Sequence, residues 1–219
     1  MPTPKPASLV SADTPISLVT DERRWVSRGA LKLLAALDAF PVDPTDKVVL
    51  DVGASTGGFT EVALDRGARS VTALDVGRAQ LHERLRIDPR VVSLERTNFR
   101  TVDLSRLDVP YPIIVADVSF ISLCAIATKL EEAAAIGADL ILLVKPQFEA
   151  GKGSVGHGGV VRDHEVRERA VRDVINCLEE AGLGACGIIR SPIEGRDGNV
   201  EYLLWLRKGD KGIALEVPE

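Results

Sequence analysis

Four charged residues stand at the ends of apolar runs in this chain. Asp51 follows Val48-Val49-Leu50, Asp75 follows Ala73-Leu74, Asp117 follows Ile113 to Ala116, and Lys145 follows Leu140 to Val144. Short continuous apolar runs of this kind read as strands buried on both faces. In a parallel sheet such strands open on one edge, and that edge is where α/β folds bind ligands. Asp117 and Lys145 are therefore expected to face the ligand and each other. Loss of hydration disfavours the charged form of an amine, and a neutral amine can take a proton from a hydroxyl. A plain structural ion pair between the two residues is the competing expectation.

The stretch Asp51-Val52-Gly53-Ala54-Ser55-Thr56-Gly57-Gly58-Phe59 gives the ligand more definition. Strand, glycine loop and helix follow one another, so the backbone can pass close to a ligand and a helix N-terminus offers unpaired N–H donors. A dinucleotide fold asks for G-x-G-x-x-G, whereas here three residues separate Gly53 from Gly57-Gly58 and an acid precedes the loop. Asp51 would repel a pyrophosphate but not a cationic ligand with an amino acid tail and an adenosine, which points to S-adenosylmethionine (SAM). A nicotinamide dinucleotide is the alternative. Asp75, about 20 residues beyond the loop, is placed to bind ribose hydroxyls in either case, with Val76 beside it. Asn98, just past the next strand, is placed where an adenine would be read, or is a simple turn residue. Asp117 borders the same edge.

The elements that must hold these residues alternate. Strands are expected at 47–52, 70–75, 90–95, 112–118, 138–145, 185–190 and 200–207, and helices at 28–40, 57–66, 77–86, 122–136 and 163–182. Ser27 and Ser122 stand as candidate N-caps. The last helix carries Val166, Ala170, Val174 and Leu178 on one stripe. Alternation of this kind predicts an α/β fold with a mostly parallel sheet covered on both faces. At 219 residues the chain suits one such domain. The net charge of −5 counts against a protein that grips nucleic acid over its whole surface. The three cysteines form no CxxC pair and the three histidines have no metal-ligand spacing. Reduced cysteines, the lack of a secretory signal and the lack of a spanning apolar run together predict a cytoplasmic protein.

Other features are weaker alone. Lys32 lies on an amphipathic helix with Leu33, Leu34, Leu37 and Phe40, and Glu201 opens an otherwise apolar run, so each reads first as a solvated charge. The stretch Gly151 to Gly159 holds five glycines in nine residues. Pro146 stands where a Walker A loop needs its first glycine, so a mobile lid or a plain connection is expected.

Six strings taken together resemble one family: Trp25-Val-Ser-Arg-Gly-Ala-x-Lys32, Asp51 to Thr60, Glu95-Arg-Thr-Asn98, Asp117 to Leu123, Val144 to Glu149, and Gly198-Asn-Val-Glu-Tyr202. Any one is only suggestive; their order is specific. The chain resembles the TlyA (hemolysin A) family of ribosomal RNA methyltransferases, related to FtsJ-type 2′-O-methyltransferases. The resemblance implies a class I SAM-dependent (Rossmann-like) fold, a seven-stranded mostly parallel sheet with the last strand antiparallel. It implies a catalytic set of Lys32, Asp117, Lys145 and Glu201, with a cytidine ribose in 16S or 23S ribosomal RNA as substrate. It also implies an FtsJ-like domain over 25–208, a linker or remnant of an S4-type RNA-binding domain over 1–24, and a tail over 209–219. The expected partners are ribosomal RNA and ribosomal subunits, with no metal and no membrane span, in a monomer or weak oligomer. Arg23, Arg24, Arg28, Lys152 and Arg162 are the expected contacts to RNA phosphates, against a solvated face as the alternative. Competing functions are a membrane-active hemolysin and a SAM-binding protein without catalysis.

Overall fold

The computed structural model describes residues 25–151, 153, 156, 158–195 and 197–219. Seven strands form one sheet: β1 (Val48–Val52), β2 (Ser70–Leu74), β3 (Val91–Leu94), β4 (Tyr111–Ala116), β5 (Ala134–Val144), β6 (Leu183–Arg190) and β7 (Tyr202–Lys208). Their spatial order is β3-β2-β1-β4-β5-β7-β6. The first five pair in parallel, and β7 pairs antiparallel with both β5 and β6. The order reverses between β1 and β4, which creates the crevice that ligands occupy in open α/β sheets. Because β7 runs backwards, its first residues lie at the same edge, with Tyr202 opposite Val144. The fold class is the expected one.

Six helices cover the sheet: α1 (Ala30–Ala39), α2 (Gly58–Asp65), α3 (Glu83–Arg86), α4 (Ala127–Ala133), α5 (Pro146–Glu149) and α6 (His164–Glu180). Alternate residues of each strand enter opposite cores. Leu140, Leu142 and Val144 of β5 join the core under α4 and α6, while Ile141 and Leu143 join the core under α1 and α2. That two-sided burial is why the strands read as unbroken apolar runs. On α6 the buried residues are Ala170, Val171, Val174, Ile175 and Leu178. Residues 209–219 form no helix or strand, yet Leu215 and Val217 pack on the core and Ile213 N–H donates to Ala185 at 2.9 Å.

Three local expectations are corrected. The helix expected at 77–86 is confined to Glu83–Arg86, because Ala79 takes a positive φ of 50° and Gly77 N–H is drawn to Asp75. The helix expected at 122–136 is a 3-10 turn over Leu123–Ile126 followed by α4, and from Ala134 the chain is already β5. No turn residue marks that junction; pairing of Ala134 with Tyr111 sets it. Ser27 does not cap α1, whose N-cap is Gly29. Ser122 does cap, accepting from Cys124 N–H at 3.1 Å.

Candidate active site

The glycine loop sits at the switch point. Gly53 has a φ of +83°, and a Cβ there would lie 2.6 Å from the Asp117 carbonyl oxygen, so β1 and β4 can meet only at a glycine. Gly57, at φ +97°, starts α2 from the left-handed region. The loop is tied to the neighbouring strand by Asp75, which accepts from Ser55 N–H at 2.8 Å and Gly77 N–H at 2.7 Å. A cavity of about 280 Å³ opens here, lined by Gly53, Asp75, Val76, Asn98, Val118 and Ile121 among others. Asp75 beside apolar residues such as Val76, Val118 and Ile121 suits a nucleoside: its carboxylate can accept from ribose hydroxyls while the base is sandwiched. Asn98 borders this cavity, and its side-chain oxygen accepts from Arg100 N–H at 3.0 Å, as a turn residue does.

A second cavity, of about 470 Å³, adjoins the first and shares Gly53, Ser55 and Asp117 with it. Arg28, Lys32, Ala54, Thr56, Gly58 and Phe59 complete much of its wall. At the boundary lies a chain of four charges. Lys145 Nζ is 2.5 Å from Asp117 Oδ1 and donates to Ser119 Oγ at 2.8 Å. Lys32 Nζ is 4.0 Å from Asp117 Oδ2 and 2.6 Å from Glu201 Oε2. Lys32, Lys145 and Glu201 are buried, with residue exposures of 8%, 8% and 3%. Two positive and two negative charges balance, which is what allows the group to be buried at all. The chain delivers them from α1, from the ends of β4 and β5, and from the residue before β7. The reversal of β7 is what brings Glu201 to this edge.

Asp51 stands apart. It is fully buried beneath the loop, borders neither cavity, and accepts from Thr60 Oγ1 at 2.6 Å through Oδ2. Its Oδ1 has no hydrogen-bond partner among the described residues. Burial pushes its carboxyl up to about 7, against the pull of Thr60. In the unfolded chain the group titrates near 4. Between about pH 4 and pH 7 the folded state keeps a proton that the unfolded state has lost, so this term favours folding on the acid side and weakens as pH rises. Asp51→Asn should therefore flatten the pH dependence of stability. Between about pH 5 and pH 8 its unfolding free energy should change by about 2–3 kcal/mol less than that of the parent, measured by urea titration. Equal slopes would place the ionisation elsewhere.

Phe120 is the functional candidate that motif spacing does not reveal. It is 91% exposed, has a φ of +65°, and lines the first cavity two residues from Val118. Its ring lies 5.1 Å from that of Phe148, which follows Lys145 by three residues. The available signal was an aromatic residue inside a polar loop immediately after a strand-end acid. Of the expected RNA contacts, Arg28 is exposed at the second cavity and Arg162 is exposed at the surface. Arg23, Arg24 and Lys152 lie outside the described residues. Arg167 folds back onto the Val161 and Arg162 carbonyls, and Arg172 pairs with Glu168 at 2.6 Å, so this helix face is partly self-satisfied. Among the described residues there is no cluster of His, Cys, Asp or Glu able to hold a metal. No helix among them is long and apolar enough to cross a membrane. The middle of the Gly151–Gly159 stretch, expected as a lid or connection, falls largely outside the described residues.

A glycine loop at the switch point of a seven-stranded sheet with an antiparallel β7 is the architecture of SAM-dependent methyltransferases. The solved structure of one from Listeria monocytogenes shares this fold at a TM-score of 0.61, with 19% identity over 84% of this chain and all of that one. Residues 25–208 match the FtsJ-like methyltransferase family, and the chain belongs to that family. It is 52% identical over 208 residues to the 16S/23S rRNA (cytidine-2′-O)-methyltransferase TlyA of Mycobacterium tuberculosis, covering 94% of this chain and 78% of that protein. A Lactococcus lactis structure described as a hemolysin superposes at a TM-score of 0.85, with 43% identity over 90% of this chain and 95% of that one.

Proposed function

We propose that this chain transfers a methyl group from SAM to the 2′-hydroxyl of a cytidine ribose in 16S or 23S ribosomal RNA. The observation that carries the reading is the Lys145–Asp117–Lys32–Glu201 chain at the wall between two adjoining cavities. The first cavity suits the adenosine, with Asp75 on its ribose, and the loop from Gly53 to Phe59 suits the methionyl tail. The relatives' names supply the substrate. Bound there, SAM supplies an electrophilic methyl on a positively charged sulfur.

The residues of the chain do the rest. A ribose hydroxyl is a poor nucleophile at neutral pH, so its proton must be drawn off as the new bond forms. Lys145 accepts that proton as the neutral amine, or as the ammonium paired with Asp117 it donates to and orients the hydroxyl oxygen. Asp117 holds Lys145 in place and spans towards Lys32, which favours the developing oxyanion. Glu201 fixes Lys32. The shared wall brings the two reactants into line, and alignment of this sort is worth several kcal/mol, on the order of 7 or more. Phe120 offers an open ring to an unstacked base, the usual way in which single RNA nucleotides are gripped. Phe120→Ala should lower kcat/KM for RNA by roughly ten- to a hundredfold, from about 1–3 kcal/mol of lost stacking. Because the ring also lines the first cavity, SAM affinity should fall as well, by a smaller factor. Steady-state methylation beside calorimetry separates the two effects.

The reading places the protein in the cytoplasm with ribosomal subunits as partners, as a monomer or weak oligomer. It is tested by incubating the protein with methyl-labelled SAM and purified small and large ribosomal subunits. Label should enter the RNA of at least one subunit. Intact SAM binding with no labelled RNA from either subunit would overturn the assignment.

A further inference from the structure

The segment Asp117–Leu123 and the short helix α5 lie side by side and are joined at several points. Lys145, the N-cap of α5, reaches Asp117 and Ser119, and the Phe148 ring meets Phe120. At the far end Glu149 accepts the Leu123 N–H at 3.0 Å and is hydrogen-bonded by Ser122. The Ser122 hydroxyl accepts from Cys124 N–H, which leaves its own proton to donate to the carboxylate. Glu149 is half-buried and has no ion pair among the described residues. Burial raises its carboxyl above the usual range. An acid partly withdrawn from water without a counter-charge carries a cost, and what this one holds is backbone. The loop it holds supplies Val118, Phe120, Ile121 and, one turn on, Ile126 to the first cavity. The helix it stands on begins at Lys145.

We propose that Glu149 is a positioning residue for methyl transfer, pinning the Asp117–Leu123 loop to α5 so that the cofactor wall and the lysine keep a fixed separation. The proposal rests on the methyltransferase reading above. Its test compares Glu149→Ala with Glu149→Gln, which keeps an oxygen for Leu123 N–H, after thermal unfolding has shown each to be folded. SAM calorimetry and steady-state methylation of ribosomal subunits are the readouts. In Glu149→Ala, SAM affinity and kcat should each fall by about tenfold, the size of a lost hydrogen bond to a charged group. The KM for RNA should rise as well, because the pinned loop carries Phe120, and Glu149→Gln should recover the losses in SAM affinity and kcat to within about threefold. Unchanged SAM affinity and kcat in Glu149→Ala, a Gln variant as damaged as the Ala variant, or a loss confined to the KM for RNA would each overturn the proposal. If Glu149→Ala does not fold, Ser122→Ala replaces it: a loss of about threefold in SAM affinity is expected, and no loss overturns the idea. If the parent binds SAM but methylates nothing, the functional reading falls, and the affinity comparison still decides the role of Glu149.

Discussion

Lys145→Ala is expected to lower methyl transfer by about a thousandfold while leaving SAM affinity within about threefold. Proton handling by a positioned side chain contributes roughly 10²–10⁴ to rate, and Lys145 is the amine closest to Asp117, the carboxylate both cavities share, at 2.5 Å against 4.0 Å for Lys32. Lys145 is absent from the walls of both cavities, so its loss should spare ground-state binding of the cofactor. Lys145→Arg should not restore activity, since a guanidinium cannot be deprotonated in a protein and its planar fork does not fit a site built for a point charge. Single-turnover methylation of ribosomal subunits beside calorimetry reads both quantities. Residual transfer above about a tenth of the parent rate would remove Lys145 from the proton path.

The second large effect falls on stability as well as activity. Glu201, 3% exposed, is the close partner of Lys32 at 2.6 Å, while Asp117 stands 4.0 Å from the same ammonium. Glu201→Ala leaves a buried lysine with a distant counter-charge, and breaking a buried pair in this way costs about 3–5 kcal/mol. Against a typical domain stability of about 5–15 kcal/mol, that is a large part of the whole. The double variant Lys32→Met with Glu201→Leu removes both charges and should recover most of the lost stability, because apolar replacements of buried ion pairs are often neutral or better. It should remain inactive. Urea unfolding of Lys32→Met, Glu201→Leu and the double variant gives the coupling directly. Recovery of activity together with stability would show that the pair is structural and nothing more.

The same residues show how far a sequence can be read. The glycine loop and the acids after β1, β2 and β4 were legible because each sits at a fixed offset from an apolar run, and a parallel sheet turns that offset into a place on one edge. Lys145 was legible for the same reason. Lys32 and Glu201 were not: 169 residues separate them, one lies on an amphipathic helix and the other at a strand start, and each looks like a solvated charge. Only the order of the six strings in the family resemblance raised them. Phe120 is not legible because nothing local tells an exposed ring from a buried one, and its residue type gives no sign of its positive φ. Two helices are shorter than their sequence patterns suggest. Asp75 captures Gly77 N–H and so delays α3, while pairing with Tyr111 turns the chain into β5 at Ala134.

The central claim is that this charge chain activates a ribose hydroxyl. The most direct measurement is nucleoside mass spectrometry of the methylated ribosomal RNA, with the position of the methyl located on base or sugar. The account predicts cytidine carrying the methyl on its 2′-oxygen, lost with Lys145→Ala. Methyl found on a base carbon or nitrogen, or 2′-O-methylation undiminished in that variant, would contradict it.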